Sequence, residues 1–119
     1  MSIDKFLDKI SETVELTQED TILKGAIRQF SNFLIRLENK TAKRNFDDND
    51  FSISSYVPSL TVRGKNLTLV RRDHHIDVIY SYNIIDKLVI HKNEVISETY
   101  NLPVSQELFE KYLDVVISD

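Results

Sequence analysis

Residues 71–77, Arg-Arg-Asp-His-His-Ile-Asp, hold the densest group of side chains able to do chemistry in this chain. Aspartate and histidine together ligate zinc or manganese, and alternate residues of a strand share one face. Asp73, His75 and Asp77 therefore form a candidate three-ligand set for a metal-dependent hydrolase. His74 and His75, being adjacent, point to opposite faces of a strand and do not share an ion. The same tetrad, Arg72-Asp73-His74-His75, lies between two apolar runs, where Asp and His suit a hairpin tip. The tip is the simpler reading, so no metal, cofactor or catalytic residue is expected here, and the hydrolase ranks third among the functions considered. His91, at the end of a later strand, joins His75 only if the strands set the two side by side.

The Asp73-His74-His75 triplet resembles a signature of a large phosphoesterase family. That family needs further aspartates on several strands of a large parallel-sheet domain. This chain has neither the length nor that order of elements, so the triplet is read as coincidence. No serine sits in a Gly-x-Ser-x-Gly elbow, and Asp47, Asp48 and Asp50 lie in a polar stretch that is expected to be hydrated. The chain has no cysteine, which excludes thiolate metal sites, disulfides and cysteine catalysis. Its two glycines form no phosphate-cradling loop. An enzyme is not expected.

Elements to position these residues follow from hydrophobic periodicity. Ser2 opens a first helix on which Ile3, Phe6, Leu7, Ile10 and Val14 make one apolar stripe roughly 100° wide. Thr17 and Asp20 read as a variant capping box that starts a second helix. There Ile22, Leu23, Ala26, Ile27, Phe30, Phe33, Leu34 and Leu37 fall within an arc of about 140°, and the helix is expected to run to about Lys43. From Phe51 the period becomes two. FSISSYV, followed by Pro58, reads as an edge or bent strand. SLTVR and NLTLVRR are joined by Gly64-Lys65 as a type II′ turn, HIDVIYSY and IIDKLVI meet near Asn83, and EVISETY follows Lys92-Asn93. Pro103 and Ser105 introduce a last helix with Leu108, Phe109, Tyr112, Leu113 and Val116 on its apolar side. The fold class predicted is α+β over one domain, residues 1–119. It has two N-terminal helices, an antiparallel meander of five to six strands and a C-terminal helix, with the helices on one face of the sheet.

Charge is distributed unevenly along a chain of net charge −4. Residues 1–20 carry six acids and two bases; residues 24–44 carry six bases and one acid; residues 63–72 add four bases. Asp4, Asp8, Glu12 and Glu15 line one ridge of the first helix, a hydrated face or an acidic ridge that docks on a basic partner. Opposite the apolar stripe of the second helix lie Gly25, Arg28, Gln29, Asn32, Arg36, Asn39 and Lys43, types that contact phosphates and base edges as well as water. Arg63, Lys65, Arg71 and Arg72 of the 63–72 hairpin would extend such a surface. Ile35 interrupts this polar face about 80° outside the apolar arc, as an oligomer contact would.

In layout, MSIDKFLDKI, the long second helix and KLVIHKNEVISETY resemble a group of small proteins of Bacillus-type bacteria and their phages. The resemblance spans much of the chain, rests on no diagnostic motif, and implies a bacterial, cytosolic, single-domain protein with no activity attached. The N-terminus lacks a continuous apolar run, so no signal peptide is expected, and no stretch suits a membrane span. The expected function is protein–protein binding in the cytoplasm, to a partner or to a second copy, through Asp4, Asp8 and Glu12 and through Arg28, Asn32, Ile35 and Arg36. The alternative is a nucleic-acid-binding regulator using the second helix and the 63–72 hairpin.

Overall fold

The computed structural model describes residues 3–41, 51–54 and 58–118, with side chains in the first helix given for Ile3, Lys5 and from Gln18 to Lys40. Among the described residues it is an α+β fold of two helices and a six-stranded antiparallel sheet. The order is α1 (Ile3–Thr41), β1 (Phe51–Ser54), β2 (Ser59–Val62), β3 (Lys65–Arg71), β4 (His75–Tyr80), β5 (Asn83–His91), β6 (Glu94–Ser97) and α2 (Gln106–Ser118).

The two helices expected at the N-terminus are one. α1 runs unbroken for 39 residues through Thr17 and Asp20, about 58 Å at 1.5 Å per residue, against a longest molecular dimension of 63 Å. No Gly or Pro stands between Val14 and Ile22 to end it. Asp20 does not cap; its carboxylate is taken by Lys24 one turn on, at 3.0 Å, and by Arg71. The apparent break has another origin. At 3.6 residues per turn the stripe Ile3–Val14 and the stripe Ile22–Leu37 lie on faces of α1 about 180° apart. The pattern jumps, while the backbone does not. Ser2, Lys43 and the stretch Asn45–Asp50 lie outside the described residues.

Strand order in the sheet equals chain order, β1 to β6, and every pairing is antiparallel. β1 is an edge strand, as Pro58 suggested. The first tight turn differs from expectation. Its central residues are Arg63 and Gly64, both with positive φ (53° and 80°), so it is type I′ rather than a type II′ turn at Gly64-Lys65. Ser81-Tyr82 and Lys92-Asn93 adopt the same left-handed pair of conformations. This turn type matches the twist of the flanking strands and is favoured even where the residues are not glycine. At the other edge, Leu102–Val104 folds back on β6: Ser97 donates to the Leu102 carbonyl at 2.8 Å and Val104 to that of Val95 at 3.0 Å.

One core joins these elements. Leu23, Ala26, Phe30, Phe33 and Leu34 of α1 meet Leu60, Leu67, Leu69, Ile76, Val78, Leu88 and Val95 from one parity of the strands. α2 contributes Leu108, Phe109, Tyr112 and Val116, while Leu113 is half-buried at the margin. Phe109 anchors the helices to each other, its ring 5.3 Å from those of both Phe30 and Phe33. Ser105 starts α2 by accepting the Leu108 N–H at 3.3 Å. Among the described residues, no helix is long and apolar enough to cross a membrane.

Candidate functional site

Arg72, Asp73 and His74 form the β3–β4 turn, closed by the Arg72 N–H donating to the His75 carbonyl at 2.8 Å. His75 opens β4, and Asp77 follows on the same face, opposite to that of the core residues Ile76 and Val78. The structure thus brings His75 and Asp77 together, with Nε2 and Oδ1 2.9 Å apart. The second oxygen of Asp77 accepts from Arg72 Nε at 2.8 Å. Both carboxylate oxygens are engaged, and the adjacent guanidinium holds this buried carboxyl below the usual aspartate range. Asp73 is exposed in the turn. Among the described residues, no three His, Asp or Glu side chains converge on a point where an ion could sit. Across the ladder His75 faces Val89, and His91 lies two residues beyond Val89 at the same end of β5, opposite Glu94 of β6, so the two histidines share a sheet face as diagonal neighbours rather than as a direct pair.

The turn instead meets α1. His74 Nδ1 lies 2.9 Å from Glu19, and Arg71 binds Asp20, with Lys24 on the same carboxylate. Asp20 is held below its ordinary value, first through Arg71 and then Lys24. This electrostatic joint ties α1 to residues more than fifty positions away. It also divides the basic stretch 63–72. That stretch is not one hairpin but a turn and a strand, with Arg63 and Lys65 at one end of β3 and Arg71 and Arg72 at the other, about 20 Å apart. Arg71 and Arg72 are neutralised by Asp20 and Asp77.

The partner-binding residues read from the sequence all map to α1. Arg28, Gln29, Asn32, Arg36 and Asn39 are exposed on the side away from the core, and Ile35 keeps 40% of its surface accessible there. A Cβ built on Gly25 would meet nothing within 4 Å, so this side is open. Asp4, Asp8 and Glu12 belong to the same helix, although their side chains are not among those described. Where α1 passes the β5–β6 tip, Gln18, Thr21, Ile22 and Asn93 line a shallow groove.

A buried polar cluster was missed by sequence reasoning. Asp86, on the core face of β5, accepts from Ser97 Oγ and Tyr112 OH at 2.5 Å each, from the Lys87 N–H at 2.8 Å and from the Thr99 N–H at 3.0 Å. Burial and the neighbouring carboxylate push the Tyr112 phenol well above its ordinary value. All donors and acceptors in the cluster are matched, so it works as a fastener between β5, β6 and α2. The available signal was an aspartate inside the apolar run IIDKLVI, at the parity of Leu88. Tyr82, fully exposed at the β4–β5 tip, and the half-exposed Ile84 beside it were also not singled out.

In comparisons with protein-family models, with curated proteins and with solved structures, none matches this chain.

Proposed function

We propose that this protein is a small non-enzymatic binding protein that acts through protein–protein contacts in the cytoplasm, most simply as a homodimer, using the outer face of α1. The observation that carries this reading is the course of α1. Its core-facing stripe is consumed between Ile22 and Leu37. The reverse side, including the half-accessible Ile35, lies open along the described side chains. The residues assigned to contact on this face are Arg28, Asn32, Ile35 and Arg36; Asp4, Asp8 and Glu12, assigned with them from the sequence, belong by helical spacing to the other side of the same helix.

The nucleic-acid reading ranks second. Counting against it are the acidic net charge and the engagement of Arg71 and Arg72 by carboxylates. A metal-dependent hydrolase at Asp73, His75 and Asp77 ranks third, because Asp77 spends both oxygens on Arg72 and His75.

Light scattering coupled to size exclusion tests the first reading: a mass near twice 13.9 kDa is expected at micromolar concentration. A monomer at all concentrations and salt levels removes the homodimer and leaves the face to a different protein, while the absence of any shift on added nucleic acid removes the second reading. A shift whose affinity falls steeply with salt favours the second.

A further inference from the structure

We infer that the open edge of the sheet at β1, with the neighbouring flank of α1, receives an extended segment of another protein as a seventh strand. The inference rests on the protein-binding reading above and names the class of partner. The two edges of the sheet are finished differently. β6 is closed by Leu102–Val104, through the Ser97 N–H and the Val95 carbonyl. β1 is the other edge, and among the described residues no main chain pairs with its outer side. Nor does Phe51-Ser52-Ile53-Ser54 carry the charge or the proline by which edge strands resist pairing.

The β2–β3 turn determines which groups of β1 are unpaired. Val62 and Lys65 flank its two central residues, Arg63 and Gly64, and so exchange hydrogen bonds with each other. Alternation along β2 then directs the peptide groups of Ser59 and Thr61 to Ser54 and Ser52 of β1. The N–H and C=O groups of Phe51 and Ile53 are left pointing outward. Another extended backbone is the partner that matches such a ladder of donors and acceptors.

α1 supplies a wall beside this edge. α2 lies along one flank of α1, with Phe33 against Phe109 and with Leu37 and Leu113 lining one crevice. α2 in turn rests on β5, through Tyr112 and Asp86. The opposite flank of α1 therefore faces the β1 side of the sheet, and α1 touches both β1 and β2. Ile27, Ser31 and Ile35 stand one turn apart on that flank, about 140° round the helix from Phe33 and Leu37. They lead from the half-buried Ile27 to Ile35 on the outer face. Successive members of this row are about 6 Å apart, and alternate residues of a strand about 6.8 Å, so side chains of an added strand keep step with it.

A second copy suits this place less well. Pairing β1 with β1 joins strands of four residues, and Ile53, the apolar side chain described there, is already packed on its own core. Such a pair has no spare side chain for Ile27 or Ile35 of the other copy. A separate segment with apolar residues at alternate positions has all of them unspent.

Random peptides of about nine residues, roughly 30 Å when extended, are displayed on phage and selected on the immobilised protein. The expected winners carry apolar residues at alternate positions and slow hydrogen exchange at the Ile53 amide at least about tenfold. Their affinity should fall at least about tenfold, near 1.4 kcal/mol, with Ile53→Pro and with Ile35→Asp. Proline is tolerated on an edge where the lost N–H faced solvent, and circular dichroism checks that the fold is kept. Should Ile53→Pro unfold, Ile35→Asp and the exchange measurement decide alone. Peptides that leave the Ile53 amide unprotected, or the absence of any binding peptide, overturn the seventh strand. So does a dimer that Ile53→Pro dissolves, because the occupant is then a second copy. If the protein self-associates without binding a peptide, the protein-binding reading stands and the strand partner falls; if it does neither, both fall.

Discussion

Asp86 illustrates how a polar side chain can be secured within an apolar core. Its two oxygens take four donors, so removing one partner leaves the others to hold a partly satisfied carboxylate. Tyr112→Phe is expected to lower stability by about 1.5–3 kcal/mol in urea unfolding; a loss under about 0.5 kcal/mol would contradict the fastening role. The same residue sets an alkaline limit. Its folded value lies above the ordinary 10.0, so the stability it lends is complete below pH 10 and fades as pH rises past it, when only the unfolded chain ionises. Asp20 and Asp77 act in the opposite direction. Both sit below their ordinary 3.8, so their contribution is complete above that value and is lost as pH falls through the lower folded values. A stability profile from pH 2 to 11 should therefore fall at both ends, with the acid limb reduced in Asp77→Asn. His75→Ala removes a partly exposed partner from a buried carboxylate that keeps Arg72, so it should change stability by no more than about 1 kcal/mol, and elemental analysis of the purified protein should find no stoichiometric zinc or manganese.

At the scale of elements, periodicity read well where one face of one element meets one core. The α2 stripe, the six strands and the stripe Ile22–Leu37 were legible for that reason. It failed at Thr17–Asp20, because the apolar positions of the sequence shift to the other side of one continuous helix there, and a shift of stripe imitates a change of element. The His75–Asp77 pair was legible from strand parity, but its partner Arg72 was not, since a turn has no parity to read. Asp86 and its donors come from three elements, and local sequence carries no trace of their convergence. Two substitutions test the element readings. Phe30→Ala, which empties a buried site against Phe109, should cost about 3–5 kcal/mol. Gln18→Pro separates one helix from two: proline is favoured at the first position after a Thr17 cap but costs about 3 kcal/mol in a helix interior. A marked loss of far-ultraviolet helical signal is expected, and an unchanged spectrum would restore the break.

For the whole molecule, the charge division along α1 and the open Ile35 make opposite demands on a dimer. If ion pairs dominate, association should weaken as salt rises from low to physiological strength, because exposed charges are screened. If Ile35 and apolar contacts dominate, salt should have little effect and Ile35→Asp should yield monomers in light scattering without loss of the fold. We expect the second pattern with a modest salt dependence, since Ile35 is the large apolar side chain exposed on the described outer face.

The sheet order has a kinetic consequence. Each strand pairs only with its neighbours in sequence, so the meander can zip hairpin by hairpin with short loop closures, as fast-folding topologies do. α1 leaves the ribosome before any of it, yet its core stripe is fully covered only when β6 has joined and α2, carrying Phe109, has been made. During that interval part of the stripe Ile22–Leu37 is uncovered on the nascent chain. If α1 pairs with a second copy as proposed, the nearest copy is then on a neighbouring ribosome of the same message, and pairing during translation favours chains of common origin over later encounters in solution.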